Sequence, residues 1–127
     1  MSKYNSRKTI VDGIEFDSRK EAKRYKELAL LERAGKISGL ELQKRYELIP
    51  AQYEEFERYG KRGQRLQNGR RCVEKAVYYI ADFAYTDENG NQVVEDVKGY
   101  KGSTAYAVFA LKRKSMLYFH NIKVKEI

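Results

Sequence analysis

The sequence predicts a single α/β domain that runs, in order, through a short hairpin, a helix, three antiparallel strands, a second helix and a final strand. Two kinds of periodicity carry this prediction. Several short runs alternate between apolar and polar residues, as strands do, and two longer runs repeat their apolar residues with the helical period. A chain of 127 residues can bury one core, so residues 1–127 are expected to form one domain.

The first elements are a hairpin and a helix. Residues 9–16 alternate around the turn pair Asp12-Gly13, which is typical of two short strands joined by a tight turn. The helix is expected from Ser18 to Ala34, because Ser18 is a good N-cap residue and Gly35 a good C-cap residue.

Glu21 falls near the middle of the apolar face of this helix, and its position has two interpretations. Ser18 and Glu21 have the spacing of a capping box, in which the Glu21 carboxylate would accept a hydrogen bond from the backbone N–H of Ser18. Alternatively, the Glu21 side chain reaches over the sheet towards other acidic residues. The residues alone leave both interpretations open.

A strand and a basic segment follow the helix. Residues 40–49 alternate with one mostly apolar face and end at Pro50, and Gln43 lies on this strand. Residues 51–59 are read as an extension of it. Residues 60–71 contain three glycines and no acidic residue, which predicts a mobile basic loop between two strands.

Residues 78–99 form the central hairpin of the prediction, with ionisable residues among its apolar ones. Asp96 and Lys98 are two positions apart and therefore share one face of a strand. The position of Asp82 depends on the turn. A two-residue loop at Asn89-Gly90 would point Asp82 away from Asp96, whereas a three-residue loop from Glu88 with Gly90 left-handed would place Asp82 opposite Asp96. A solvated outer face with an ion pair is the plain alternative to a functional site.

The remaining residues predict a second helix and a last strand. Ser103 or Thr104 caps a helix that runs to about Phe119, and residues 122–127 alternate as a strand. The expected buried stripe of this helix is Ala105, Val108, Phe109, Met116 and Phe119.

Positive charge is concentrated in two segments. The chain has 26 Lys and Arg against 18 Asp and Glu, and neither residues 58–71 nor residues 97–125 contain an acid. Segregated positive charge is typical of a polyanion-binding surface, although a merely basic surface is the alternative. The candidate DNA-binding residues are Lys61, Arg62, Arg65, Arg70, Arg71, Lys101, Lys112 and Lys114.

Composition argues against several other classes of protein. No apolar run approaches the roughly 20 residues of a transmembrane helix, and the N-terminus lacks the apolar segment of a secretory signal. Cys72 and His120, the single cysteine and histidine, have no partner at the spacing of a zinc site or a Cys/His nucleophile. We expect a cytoplasmic protein, in the host cytoplasm if it is phage-encoded, without a membrane partner or a small-molecule cofactor.

Asp82, followed after a turn by Asp96-Val97-Lys98, resembles the motif of the PD-(D/E)xK nuclease superfamily. The phrase V-E-D-V-K-G, preceded by Y-I-A-D-F, is similar to the small phage-encoded members and to Holliday-junction resolvases and transposon end-cleaving nucleases. Ala81 stands where the name of the superfamily has Pro. The resemblance implies a restriction-endonuclease-like core, in which a mixed central sheet is flanked by helices.

The resemblance also implies an activity and a set of roles. The protein would be a Mg²⁺-dependent endodeoxyribonuclease, with Mn²⁺ able to substitute, acting on branched or recombination DNA. Asp82, Asp96 and the Val97 carbonyl would hold the metal, and Lys98 would act on the nucleophilic water. Relatives carry a Glu on the first helix, which favours Glu21 as a further site residue. They also carry a Gln near the site, so Gln43 is either a supporting site residue or a surface glutamine.

Two other functions stay open at this point. One is a less selective or nicking endonuclease of the same superfamily, and the other is a non-catalytic nucleic-acid-binding module in which the acids merely pair with lysines. A homodimer is expected for the enzyme, because cutting two strands symmetrically usually uses two active sites.

Overall fold

The computed structural model describes residues 8–98 and 102–127. Within them the chain has a mixed central sheet, two helices and an N-terminal hairpin, which confirms the predicted α/β fold with a mixed sheet flanked by helices. The elements are β1 Thr9–Val11, β2 Ile14–Phe16, α1 Arg19–Arg33, β3 Ser38–Ile49, β4 Gln52–Tyr59, β5 Arg65–Glu74, β6 Val77–Thr86, β7 Gln92–Asp96, α2 Thr104–His120 and β8 Lys125–Glu126.

The central sheet has the strand order β3-β6-β7-β8. The first three strands pair antiparallel, and β8 pairs parallel to β7 after the chain has passed through α2. Val93 packs with the cluster that contains Leu28 of α1, whereas Val94 belongs to the cluster that contains Met116 of α2. Because neighbouring residues of a strand point to opposite faces, the two helices cover opposite faces of the sheet.

The predicted local signals of the N-terminal half are confirmed. Thr9 pairs with Phe16 across a two-residue turn at Asp12-Gly13, both of which have positive φ as this kind of turn requires. The Ser18 hydroxyl accepts a hydrogen bond from the backbone N–H of Glu21 at 3.1 Å, so Ser18 is the N-cap of α1.

The prediction of a mobile basic loop at residues 60–71 is wrong. Residues 65–74 form β5, which pairs with β4 in a separate two-stranded sheet, and the turn occupies residues 60–64. The sequence pattern missed β5 because no residue of this hairpin is buried, so no apolar face marks the strand. Cross-strand pairs hold it instead: Arg70 stacks on Tyr53, and Arg71 lies over Phe56 and bonds to Glu54.

The predicted buried stripe of α2 is only partly right. Phe109 and Met116 are buried, but Ala105 is exposed, and Val108 and Phe119 are 50% and 53% exposed. Arg113 of α2 pairs with Glu126 of β8 at 2.8 Å. The last strand is also shorter than the predicted 122–127. No helix among the described residues is long and apolar enough to cross a membrane.

Candidate functional site

The turn between β6 and β7 decides how the two aspartates are arranged. The Gly90 N–H donates to the Asp87 carbonyl at 3.1 Å, the Asp87 N–H donates to the Asn91 carbonyl at 2.9 Å, and Gly90 has a φ of 81°. This is the three-residue loop Glu88-Asn89-Gly90 with a left-handed glycine. The ladder then runs from Thr86–Gln92 to Phe83–Glu95, and the next pair in the same register is Asp82 and Asp96.

Asp82 is a half-buried carboxylate with partners on both oxygens. Its Oδ2 accepts the backbone N–H of Val97 at 2.8 Å, and its Oδ1 lies 3.4 Å from Nε2 of Gln43. Burial, and then the hydrogen bond with Glu21, raise the pKa of Asp82 to about 6. This carboxyl group therefore binds a proton far more readily than an ordinary aspartate.

Asp96 is buried beside it and is joined to Lys98. The Lys98 Nζ lies 2.7 Å from Asp96 Oδ1, and the Tyr79 hydroxyl donates to Asp96 Oδ2 at 2.6 Å. Burial and the neighbouring Asp82 charge raise the pKa of Asp96, while Lys98 and Tyr79 oppose that rise. The Lys98 ammonium also lies 4.1 Å from the ring centroid of Phe109, which holds it against α2.

Glu21 combines the two interpretations that its sequence position allowed. Its Oε2 accepts the backbone N–H of Asp17 at 3.2 Å, so the side chain does fold back over the N-terminus of α1, one residue before Ser18. Its carboxyl group is also close enough to Asp82 to raise the pKa of Asp82 by hydrogen bonding and by charge repulsion. Glu21 is thus a helix cap and a member of the carboxyl cluster at once.

The strands change their packing at Asp82 and Gln43. Tyr79 and Ala81 belong to the cluster under α2, but Phe83, at the next alternate position, belongs to the cluster under α1. Gln43, opposite Asp82 in the register, has a φ of 53°. A left-handed conformation costs a residue with a side chain about 1–2 kcal/mol, and such strain is concentrated at functional sites. The strain at Gln43 therefore supports a functional role for this position.

Glu95 and Arg24 form a second charged group that the sequence analysis missed. Glu95 has no exposed surface, and Arg24 of α1 donates to it through Nε and Nη2, each at 2.7 Å. The Tyr85 hydroxyl makes a further short hydrogen bond to Glu95. Burial and this bond raise the pKa of Tyr85 to about 12. The available signal was the position of Glu95 between Val93 and Val97 on the apolar face of the strand.

The candidate DNA-binding residues lie in different parts of the fold. Lys61 and Arg62 lie in the turn of the β4-β5 hairpin, and Arg65, Arg70 and Arg71 lie on β5. Lys112 is the one that lines a groove together with Asp96 and Lys98. Lys114 lies on α2 and lines another pocket beside Arg113, and Lys101 lies outside the described residues.

The carboxylates do not form a complete metal cage. Among the described residues, no group of three or more His, Cys, Asp and Glu side chains is arranged to hold a metal ion. The carboxylate oxygens of Asp82 and Asp96 instead accept hydrogen bonds from Val97, Gln43, Tyr79 and Lys98. Each oxygen still has a second lone pair for a further ligand.

A family model described as a protein of unknown function, DUF1064, matches residues 1–127. The chain belongs to the DUF1064 family. No curated protein and no solved structure matches this DUF1064 chain, so its site is interpreted from its own residues.

Proposed function

We propose that this protein is a metal-dependent DNA endonuclease that hydrolyses phosphodiester bonds. The observation that carries the proposal is the juxtaposition at the β6-β7 hairpin. Asp82 and Asp96 adjoin the last ladder pair of the two strands and interact electrostatically, and the Lys98 ammonium lies 2.7 Å from the Asp96 carboxylate. The resemblance to the PD-(D/E)xK superfamily rests on these same three residues.

The donor chemistry of the cluster fits a hard divalent cation. Asp82 and Asp96 both have raised pKa values. Both are desolvated, Glu21 further raises the pKa of Asp82, and the Asp82 charge raises that of Asp96, so a bound cation would relieve these costs. Mg²⁺ prefers oxygen ligands and commonly uses one or two protein carboxylates together with substrate phosphates. The incomplete cage is therefore compatible with Mg²⁺ or Mn²⁺, with Glu21 and the Val97 carbonyl as the further proposed ligands.

Each residue has a separate part in the proposed reaction. A divalent cation, when bound, supplies the Lewis acid that phosphodiester hydrolysis needs. Lys98 orients the attacking water and stabilises the negative charge that develops on the phosphate. Gln43 holds the Asp82 carboxylate, and Arg24 holds β7 against α1 through Glu95. The basic residues on the β4-β5 hairpin and Lys112 contact DNA phosphates.

The proposed substrate is branched or recombination DNA, and a less selective or nicking activity is the variant of this proposal within the superfamily. A homodimer is proposed with it, because two active sites are needed to cut two strands symmetrically. Cleavage of a supercoiled plasmid and of a synthetic four-way junction separates these cases.

A non-catalytic nucleic-acid-binding module is the second candidate. The observation that favours it is that Asp96 is already neutralised by Lys98 and hydrogen-bonded by Tyr79, as a purely structural ion pair would be. Such a module would bind DNA through the same basic residues and would not hydrolyse it.

The decisive experiment measures DNA cleavage with Mg²⁺, with Mn²⁺ and with a chelator. We expect cleavage by the wild-type protein with either metal, and loss of cleavage with DNA binding retained in Asp82→Asn, Asp96→Asn and Lys98→Met. Glu88→Gln, an exposed acid in the turn of the same hairpin, is the matched control and should cleave normally. Metal-independent binding without cleavage by the wild type would favour the module, and normal cleavage by Asp82→Asn would refute the assigned site.

A further inference from the structure

A groove opens beside the carboxyl cluster where β7 separates from β6. The ladder between these strands covers residues 83–86 of β6, and beyond Asp96 the chain turns towards the C-terminus, where the Lys98 N–H donates to the Ile127 carbonyl at 3.4 Å. The groove has a volume of about 230 Å³ and lies between α2 and the part of β6 that pairs with β3 but not with β7. Asp96 and Lys98 are among its lining residues.

The walls of this groove are apolar and its rim is cationic. Ile80 of β6 and Val108 of α2 line it although each is 50% exposed, and the rings of Tyr79 and Phe109 lie behind them. Lys112 lines it from α2. Half-exposed aliphatic side chains beside buried carboxylates gain free energy when an apolar surface covers them.

A stacked cation and aromatic ring lie on the face of β6 opposite to Tyr79 and α2. Arg45 is the register partner of Ile80, and its guanidinium lies 4.0 Å from the ring centroid of Tyr78, on the same face of β6 as Ile80. A planar cation on an aromatic ring, next to aliphatic side chains, is the kind of platform on which nucleic-acid bases stack. Neither Arg45 nor Tyr78 was among the candidate DNA-binding residues.

We infer that this groove binds one unstacked nucleotide next to the scissile phosphate, so that the preferred substrate carries unpaired nucleotides at the cleavage position. The inference rests on the proposed function and names its substrate. Ile80 and Val108 contact the base or sugar, while Lys112 contacts an adjacent phosphate. A continuous duplex cannot use this groove, because its bases are stacked inside the helix and it presents mainly charged phosphates.

The test is a binding measurement in chelator, where no hydrolysis occurs. The probes are a blunt DNA duplex and a duplex of equal phosphate number that ends in a single-stranded oligothymidine arm, with 2-aminopurine at the first unpaired position. We expect the arm to tighten binding by roughly fivefold or more, as base stacking on proteins does, and the 2-aminopurine fluorescence to change on binding.

Ile80→Ala and Val108→Ala probe the groove, and Leu111→Ala is the matched control. Leu111 is a 66% exposed aliphatic residue of α2 that does not line the groove. The groove variants should lose most of the preference for the arm while binding the blunt duplex normally, and Leu111→Ala should keep the preference. Circular dichroism checks the fold, and Val108→Ala keeps the test valid if Ile80→Ala unfolds, since alanine favours helices.

Each result has one meaning for the inference. Equal binding of both probes by the wild type, or an equal loss for both probes in Ile80→Ala and Val108→Ala, would overturn it. The failure of the proposed function is distinguishable from the failure of this inference. If the protein selects the armed probe but cleaves no DNA with Mg²⁺, the groove is supported and the endonuclease activity is refuted. If the protein cleaves blunt and armed duplexes equally with Mg²⁺, the endonuclease activity is supported and the inference about the groove is refuted.

Discussion

The two longer hairpins of this protein carry many charges, but they accommodate them in different ways. The β6-β7 hairpin lies in the central sheet between two helices, and the acids of its two strands are buried or half-buried. The β4-β5 hairpin forms its own sheet, has no buried residue and makes its extensive contacts between its own strands. A buried charge in the first hairpin needs a specific partner, whereas a charge in the second stays solvated even where it is paired.

The buried acids of one hairpin and the exposed bases of the other suit different kinds of chemistry. Glu95 is fully buried and has two hydrogen bonds from one arginine, and the pKa of Asp82 is raised to about 6. In contrast, the ion pair of Arg71 and Glu54 in the exposed hairpin has side chains that are 61% and 48% exposed. Desolvated acids have altered proton and cation affinities, and exposed bases supply long-range attraction for a polyanion.

The largest effect is expected for Arg24→Ala. This change removes the only cation paired with the buried Glu95 carboxylate among the described residues and should lower the free energy of unfolding by about 3–5 kcal/mol. Urea denaturation measures it. The double variant Arg24→Met with Glu95→Leu should recover most of the loss, because no buried charge remains. A loss under about 1 kcal/mol for Arg24→Ala would mean that the buried pair does not hold α1 against β7.

Asp82→Asn should stabilise the metal-free protein near neutral pH. The pKa of Asp82 is about 6 in the folded protein and about 3.9 when unfolded, so its ionisation above pH 6 favours unfolding. The contribution of Asp82 to stability is thus fully present below pH 4 and is lost as the pH rises through 6. We expect a gain of about 1–3 kcal/mol for Asp82→Asn at pH 8.

Thermal unfolding in chelator from pH 4 to pH 8 measures this effect. The difference between wild type and Asp82→Asn should shrink at the acidic end, and Mg²⁺ should stabilise the wild type more than the variant. Glu88→Gln serves as the exposed control. An equal or lower stability of Asp82→Asn at pH 8 would contradict the desolvated, repelled state of this carboxylate.

Neutralising the exposed hairpin should change DNA binding and leave stability nearly unchanged. Replacing Lys61, Arg62 and Arg65 with Gln should reduce the slope of log affinity against log salt by roughly 0.9 for each lost duplex phosphate contact. The free energy of unfolding should change by less than about 0.5 kcal/mol, because these side chains are exposed. Lys23→Gln with Lys26→Gln, on the exposed side of α1, is the matched control. An unchanged slope would mean that the hairpin does not contact DNA.

The smallest effect is expected for the ion pair between Glu54 and Arg71. A double-mutant cycle with Glu54→Gln and Arg71→Gln should give a coupling of about 0.2–1 kcal/mol, since both side chains are solvated. The measurement is the exchange of backbone amides in residues 52–74, because this hairpin can open without the core. A coupling near that of the buried pair of Arg24 and Glu95 would remove the distinction between the two hairpins.

Much of the candidate site was predictable, because its parts are local. The spacing of Asp96 and Lys98 places them on one face, and the Gly90 loop is one of two turns that the residues allow. Residue spacing alone could not decide which of the two turns forms, because both contain Gly90. The pairing of Glu95 with Arg24 joins residues 71 positions apart, and no local pattern encodes such a contact.

The helix caps, the tight turns and the alternating strands of the core are specified locally, because each depends on residues a few positions apart. Three features arise only in the assembled fold: the separate β4-β5 sheet, the exposure of Val108 and Phe119 on α2, and the desolvation of Asp82 and Asp96. These features depend on which distant side chains exclude water from a position. The raised proton affinity of Asp82 is therefore a property of the assembled fold, even though the aspartate itself can be read from the chain.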